Sequence, residues 1–535
     1  MNLLKALSIV SGMTLLSRIL GFVRDLVIAR IFGSGMQTDA FFVALTVPNL
    51  LRRLFAEGAF SQAFVPILGE YKTKSEVKND LSETKILVDR TATLLAWALI
   101  LVTLIGVIAT PLVVFLTAPG FLSAENGSQK YELTVNLMKI TFPYIFFISL
   151  VAMAGGILNT WKKFAIPAVT PTLLNISFIS MSLLAAPYFD EPIYALAWAV
   201  FIGGVLQLAL QIPALLKISM LPSINFNFFN PLNLYKSLKI AVQDEGVKRI
   251  LWLMFPALLG VSVSQISLIL NNIFASYLQN GSVSWLYFAD RLMEFPAGLL
   301  GAALGTILLP SLSEYNAKGW KEKYSELLDW GLKLTFLLAT PAALGLAILA
   351  LPLISTLFFT GEFSQHSVYQ TRLALWAYAS GLPALILIKV LAPGFYAKQN
   401  IKTPVKIAIL TLCITQILNV ILVLLLNFQH MGLALSISLA AWINAGFLFF
   451  KLNQHKVYLN YSVAEWIKFL LKLLTALALM SASLFLLVGS DESWLQITQI
   501  QRAIKLFGVI IVGVLVYFAT LFVLGFRLKD FKRHV

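Results

Sequence analysis

The sequence predicts an all-α polytopic membrane protein of about fourteen transmembrane helices. Three observations carry that prediction. Hydrophobic residues make up 59% of the 535 residues, charged residues make up only 12%, and apolar runs recur from one end to the other. A water-soluble domain carries about 25% charged residues. With half that share there is too little polar surface to cover a globule in water, which excludes a soluble enzyme and a disordered chain. The runs are the length of a bilayer-crossing helix, about twenty residues.

In chain order the predicted spans are 8–30, 37–68, 89–116, 134–158, 166–187, 193–216, 250–278, 284–311, 326–350, 370–395, 403–426, 431–451, 466–488 and 500–525. The start, MNLLKALSIVSGMTLLSRILGFVRD, resembles a signal peptide for a dozen residues. It then carries Arg18 and Arg24 and offers no small-residue cleavage site, so it reads as a retained first span. Between spans 6 and 7 lies the longest connection. Its NFNFFNPLNLYKSLKIAVQ mixes aromatics with spaced lysines, the pattern of a helix lying in the interface.

Basic residues set the orientation. Forty Lys+Arg against twenty-five Asp+Glu leave +15. With the N-terminus inside, the inner loops hold Lys72, Lys74, Lys78 and Lys85, then Lys162 and Lys163, then Lys217, Lys236, Lys239, Lys248 and Arg249. Later inner segments hold Lys318, Lys321, Lys323, Lys398, Lys402, Lys451 and Lys456, and the tail holds Arg527, Lys529, Lys532 and Arg533. The opposite loops are Lys-poor and carry Asp190, Glu191, Glu362, Asp491 and Glu492. This positive-inside pattern explains most of the charge without nucleic acid and places both termini in the cytoplasm. Cys413 is the only cysteine, and His366, His430, His455 and His534 are scattered, so neither a disulfide nor a metal cluster is expected.

The chain also repeats itself. The second span runs into Pro66, Glu70 and Tyr71, and the eighth runs into Pro310, Glu314 and Tyr315 at the same spacing. ALAWAVFIGGVLQLALQIPALL resembles LALSISLAAWINAGFLFFKL in the same order. Six spans return the chain to the same side, so the two units run parallel, as in transporters built of two lobes. The division is 1–217 for the first lobe, 218–249 for the amphipathic cytoplasmic linker, 250–453 for the second lobe, and 454–535 for spans 13 and 14 with a basic tail.

Charges within the spans are the candidate site. Arg18 sits near the middle of span 1, with Arg24 about 9 Å closer to the outer face. Arg52 and Arg53 lie near the middle of span 2, and Arg291 lies in the outer half of span 8. Each such charge costs about 2.5–3.5 kcal/mol on insertion scales, so these residues are expected to meet a watery cavity or an anion. Arg53 and Glu57 stand at i,i+4 and suit an ordinary ion pair. Arg291 neighbours Asp290 and Glu294, and Arg24 neighbours Asp25, whereas Arg18 and Arg52 have no acid at helical spacing. Asp39, at the outer start of span 2, is either a counter-ion or gate element or an exposed helix-start acid. Asn175 and Gln207 read as packing contacts. Excess guanidinium points to an anionic substrate, because its planar fork pairs with phosphate. A cation exporter would need unpaired acids at mid-depth. A scaffold would have no use for buried arginines. An enzyme would need catalytic acids, a metal cluster or a cavity-facing histidine.

SRILGFVRD, ARIFGSGMQTDAFFVA, PNLLRRLFAEGAFSQAFVPI, WLYFADRLMEFPAGLLG and KVLAPGFYAKQNIKTPVKIA together resemble the MurJ (MviN) family of lipid II flippases, within the MOP superfamily. The resemblance runs over the whole chain. It implies two six-span lobes forming a V around a cationic central cavity, with spans 13 and 14 shaping a groove for the lipid tail beside spans 1 and 8. It implies export of lipid II, the undecaprenyl-diphosphate-linked disaccharide pentapeptide, across the bacterial inner membrane for peptidoglycan synthesis, by alternating access. The alternative is a multidrug or other lipid-linked oligosaccharide exporter of the same superfamily. The family's functional positions fall on Arg18, Arg24, Arg52, Arg291 and Asp39, with Ser17, Glu57 and Ser284 as lesser cavity or structural contacts. No cofactor or catalytic residue is implied. Coupling to membrane potential or to Na+ is a further expectation, with Asn271, Asn272 and Asn419 available but no acids evident beside them. Membrane lipids and cell-wall synthesis proteins are the other implied partners.

Overall fold

The computed structural model describes residues 3–53, 60–123, 127–225, 231–454 and 462–527, and among them there is no β-strand. The internal contacts divide the chain into two compact units, Met1–Gln279 and Asn280–Val535. Ten helices among the described residues are long and apolar enough to cross a membrane, so this is a multi-pass membrane protein.

The first unit opens with α1 (Leu3–Phe32), α2 (Met36–Leu51) and α3 (Phe60–Lys78), followed by α4 (Ser82–Ile108) and the short α5 (Thr110–Thr117). Then come α6 (Gly127–Thr141), α7 (Tyr144–Thr160), α8 (Ala165–Ser180), α9 (Tyr194–Lys217), α10 (Pro231–Gln243) and α11 (Glu245–Ser276). Phe64 and Leu68 of α3, Val88 and Ala92 of α4, Ile157 and Leu158 of α7, and Val247 and Ile250 of α11 close into one buried cluster. That cluster is why α11 belongs with this unit, although the sequence division assigns span 7 to the second lobe. A second contact fixes the far end of α11. Gly120 donates its N–H to Ser276 Oγ at 2.9 Å, and a Cβ at Gly120 would stand 2.5 Å from the Ser276 backbone.

The connection before α11 is fastened to α4. Arg90 pairs with Asp244 at 2.5 Å, and Asp244 also accepts the Val247 N–H to cap α11. Asp89 accepts the Ser223 N–H at 2.7 Å, and the Trp97 indole donates to the Asn225 carbonyl.

The second unit begins with α12 (Ser282–Ala317), α13 (Lys321–Ile348), α14 (Ala350–Leu357), α15 (Gln365–Leu391) and α16 (Pro393–Tyr396). It continues with α17 (Lys402–Asn419), α18 (Gln429–Gln454), α19 (Val463–Val488), α20 (Glu492–Leu495) and α21 (Gln499–Val523). The ten helices long and apolar enough to cross a membrane are α4, α6 with α7, α8, α9, α13, α15 with α16, α17, α18, α19 and α21. Predicted spans 1, 2, 7 and 8 fall on α1, on α2 with α3, on α11 and on α12.

α15 is the central helix of this unit. Ser438 of α18 donates to the Ala377 carbonyl, and Gly381 admits Ser438 where any Cβ would collide at 2.5 Å. α19 and α21 pack against each other through Leu484 and Gly513. They are bound to the unit at both ends: Trp466 donates to Asp329 at 2.8 Å, and Arg372 pairs with Asp491 at 2.6 Å. Arg502, 6% exposed, donates to the carbonyls of Ser355, Phe359, Trp494 and Leu495. These oxygens end α14 and α20, where helical carbonyls lack partners within their own helix.

The repeat seen in sequence reappears as matched irregularities. α4 and α13 each break after one long stretch and resume as an eight-residue helix, α5 and α14. α8 and α17 each end in a π-helical turn, at Met181–Ala185 and Val420–Leu425. Glu70 pairs with Lys74 and Glu314 with Lys318, both one turn apart, just after the matched prolines.

Candidate functional site

The charged centre of the first unit lies where α1 meets α8. Arg24 sends Nε and Nη2 to a single carboxylate oxygen of the adjacent Asp25, at 2.9 and 2.7 Å. Its Nη1 donates to Asn175 Oδ1 on α8 at 3.1 Å. The guanidinium also lies 5.4 Å from the Phe178 ring centroid. The Asn175 Nδ2 donates back to the Ser17 carbonyl at 3.0 Å, so Ser17 takes part through its main chain. Asp25 is buried and Arg24 is 15% exposed. Arg18, on the same helix, is exposed and makes no hydrogen bond or ion pair among the described residues.

Arg52 caps the end of α2, half-buried, with Nε 3.4 Å from Asn49 Oδ1. Arg53 beside it is exposed. Glu57, its expected partner at i,i+4, lies outside the described residues. Arg291 belongs to the second unit. It pairs with Glu294 at 2.6 Å across one turn and stacks 5.0 Å from the Tyr287 centroid. Ser284 on the same helix is fully buried.

Asp39 is not an exposed helix-start acid: it is 1% exposed and pairs at 3.0 Å with Lys130 of α6, itself 2% exposed. Lys130 also stands 4.1 Å over the Phe121 ring. Sequence reasoning missed Lys130. A signal was present, because this lysine falls on the side that the positive-inside pattern leaves Lys-poor. A cation retained against that rule is one that the fold needs.

Several polar residues of the other spans have partners within the bundle. Gln207 accepts from the Tyr144 hydroxyl and donates to the Thr170 carbonyl, a packing contact. Asn175, read in sequence as packing, instead reaches the charged centre. Asn272 donates to Thr46 Oγ1, and Asn419 donates to Gln416. Among the described residues no group of three or more His, Cys, Asp or Glu side chains could hold a metal.

An apolar groove of about 450 Å³ runs through the second unit. Its walls are Leu332 and Phe336 of α13, Leu387 and Leu391 of α15, Trp442 and Phe449 of α18, and Trp466 and Leu470 of α19. Among the described residues its lining comes from α13, α15, α18 and α19, which places it between spans 12 and 13.

Long apolar helices with matched irregularities in the two units define a polytopic helical membrane protein. The solved structures agree at the level of fold. The chain resembles an inward-facing multidrug resistance MATE transporter of the MOP superfamily, with TM-score 0.65 and 13% identity over 85% of this chain and 99% of that one. The resemblance is stronger to a structure described as lipid II flippase MurJ in an inward closed conformation, with TM-score 0.76 and 26% identity over 96% of this chain and 97% of that one.

The family model for the lipid II flippase MurJ matches residues 28–505, and the chain belongs to that family. Among curated relatives it is 47% identical to the lipid II flippase MurJ of Burkholderia cenocepacia, over 100% of this chain and 99% of that protein. It is 42% identical to the probable lipid II flippase MurJ of Vibrio cholerae, over 99% and 98%.

Proposed function

We propose that this protein carries lipid II from the inner to the outer leaflet of the bacterial inner membrane by alternating access, supplying peptidoglycan synthesis. Fourteen spans, with both termini cytoplasmic, form two six-span lobes and a C-terminal pair. The diphosphate binds Arg18, Arg24, Arg52 and Arg291, and its two phosphates supply the acceptors that bidentate guanidinium groups match.

The observation that carries this reading is the α1–α8 centre. There one intramembrane arginine is oriented by an acid, an amide and an aromatic ring, and Arg18 is exposed a short way along the same helix. The two buried acids of this region, Asp25 and Asp39, are each committed to a cation, which leaves a cationic drug no counter-charge here. Substrate binding favours closure on the inner side and then outward opening, as a shift of populations. The polyprenyl tail stays in lipid and lies along α19 and its groove. Membrane potential biases the cycle, since each charge moved through 100 mV is worth about 2.3 kcal/mol. The test is lipid II translocation by the purified protein in defined vesicles, with and without a voltage or a sodium gradient. Movement of lipid II supports this function; a protein that leaves lipid II in place but moves a cationic drug is a multidrug exporter.

A further inference from the structure

Asn175 offers one oxygen and one amide nitrogen, and the two ends meet groups of opposite kind. Arg24 can only donate, so the oxygen must face it. The Ser17 carbonyl can only accept, so the nitrogen must face that. The amide orientation is therefore fixed by its partners. The contact ties two points of α1 seven residues apart to one position of α8. Gly21, on the same face, lies beside the amide: a Cβ there would be in ordinary contact, 3.6 Å from Asn175 Nδ2. No other side chain of similar size can do both jobs. Leucine keeps the volume and loses both bonds. Aspartate keeps an acceptor for Arg24 but turns an oxygen toward the Ser17 carbonyl and adds a negative charge.

We propose that Asn175 is a positioning residue for anion recognition: it locks the Arg24 guanidinium onto α1 while remaining uncharged, so that the centre receives the diphosphate of the lipid substrate. Neutrality matters because Asp25 already balances Arg24. A second carboxylate at position 175 makes the centre net negative and repels the phosphates, whereas an amide orients the guanidinium at no electrostatic cost. This inference rests on the diphosphate-binding role given to Arg24.

The experiment measures lipid II binding by the purified full chain in lipid nanodiscs, for Asn175→Leu and Asn175→Asp in the parent and in an Arg24→Ala background. Thermal unfolding of each variant is followed alongside. Asn175→Leu should weaken binding about ten-fold in the parent, the scale of a hydrogen bond to a charged group. Asn175→Asp should weaken it further, and that extra loss should shrink as salt is raised. In the Arg24→Ala background Asn175→Leu should cause no additional loss, because the amide acts through the guanidinium. Equal losses in both backgrounds would make Asn175 a packing residue and overturn the proposal. So would parent-like binding by Asn175→Asp in protein that unfolds at the parent temperature. Parent-like binding by Arg24→Ala alone would instead remove the diphosphate role of Arg24, and the inference with it.

Discussion

Arg24 in the first unit and Arg502 in the second are both arginines drawn into an apolar helical bundle, yet they are held in different ways. Arg24 is held by side chains, Asp25 and Asn175, on a site that is still 15% exposed. Arg502 is held by four main-chain carbonyls and is 6% exposed. Carbonyls at helix ends need a donor in every state of the protein, so an arginine that serves them is a fastening. Side-chain partners can be exchanged for a substrate's oxygens, so an arginine held that way is available for binding. If Arg24 binds the substrate as proposed, the nature of the partner separates a structural charge from a working one more sharply than burial does.

The contrast can be broken by asking which charges tolerate removal of their partner. The largest effect is expected at the Asp39–Lys130 pair. Lys130→Met strands a buried carboxylate and should cost about 3–5 kcal/mol, whereas adding Asp39→Asn should recover much of that stability. Unfolding temperatures of the single and double variants check this. A double variant less stable than the lysine variant alone would mean that the pair is not the unit holding α2 to α6.

Arg502 should allow no such recovery. Arg502→Ala leaves the carbonyls of Ser355, Phe359, Trp494 and Leu495 without their donor, at a cost on the order of 3 kcal/mol. Lysine, with a point charge in place of a fork, should restore less than half. Loss of α19–α21 docking is readable as faster proteolysis of that hairpin. Parent-like stability for Arg502→Ala would end the distinction drawn between the two arginines.

The smallest effect is expected at the exposed network on α3. Arg249 first, then Lys74, hold the Glu70 carboxyl at about 2 against an ordinary value of 4.5. A lowered value means that the stabilisation is fully present above pH 4.5 and is lost as pH falls toward 2. The difference in unfolding temperature between the parent and Glu70→Gln should therefore be constant at neutral pH and vanish in strong acid. A difference that disappears already near neutral pH would show that the α3–α11 link does not depend on this carboxylate.

Much of the helical architecture is legible in the sequence, because bilayer thickness sets the length of an apolar run. Among the described residues ten of the predicted spans fall on helices long and apolar enough to cross a membrane, and the Pro66 and Pro310 correspondence is followed by matching Glu–Lys pairs. Intramembrane arginines could be singled out because their cost in lipid is high whatever the fold. Their partners could not. Asn175 lies 151 residues from Arg24, and Lys130 lies 91 from Asp39, and no local spacing joins them. Nor does local spacing show the Val247 and Ile250 contacts that tie α11 to α3, α4 and α7, which are tertiary.

The most direct measurement is lipid II translocation in vesicles by Arg18→Ala, Arg18→Lys and Arg53→Lys, each at normal membrane abundance. If Arg18 holds phosphate through its fork, lysine should fail nearly as badly as alanine, while Arg53→Lys stays close to the parent. Full activity for Arg18→Ala, or loss of flipping in Arg53→Lys while Arg18→Lys is tolerated, would contradict the assignment and move the phosphate site to Arg53.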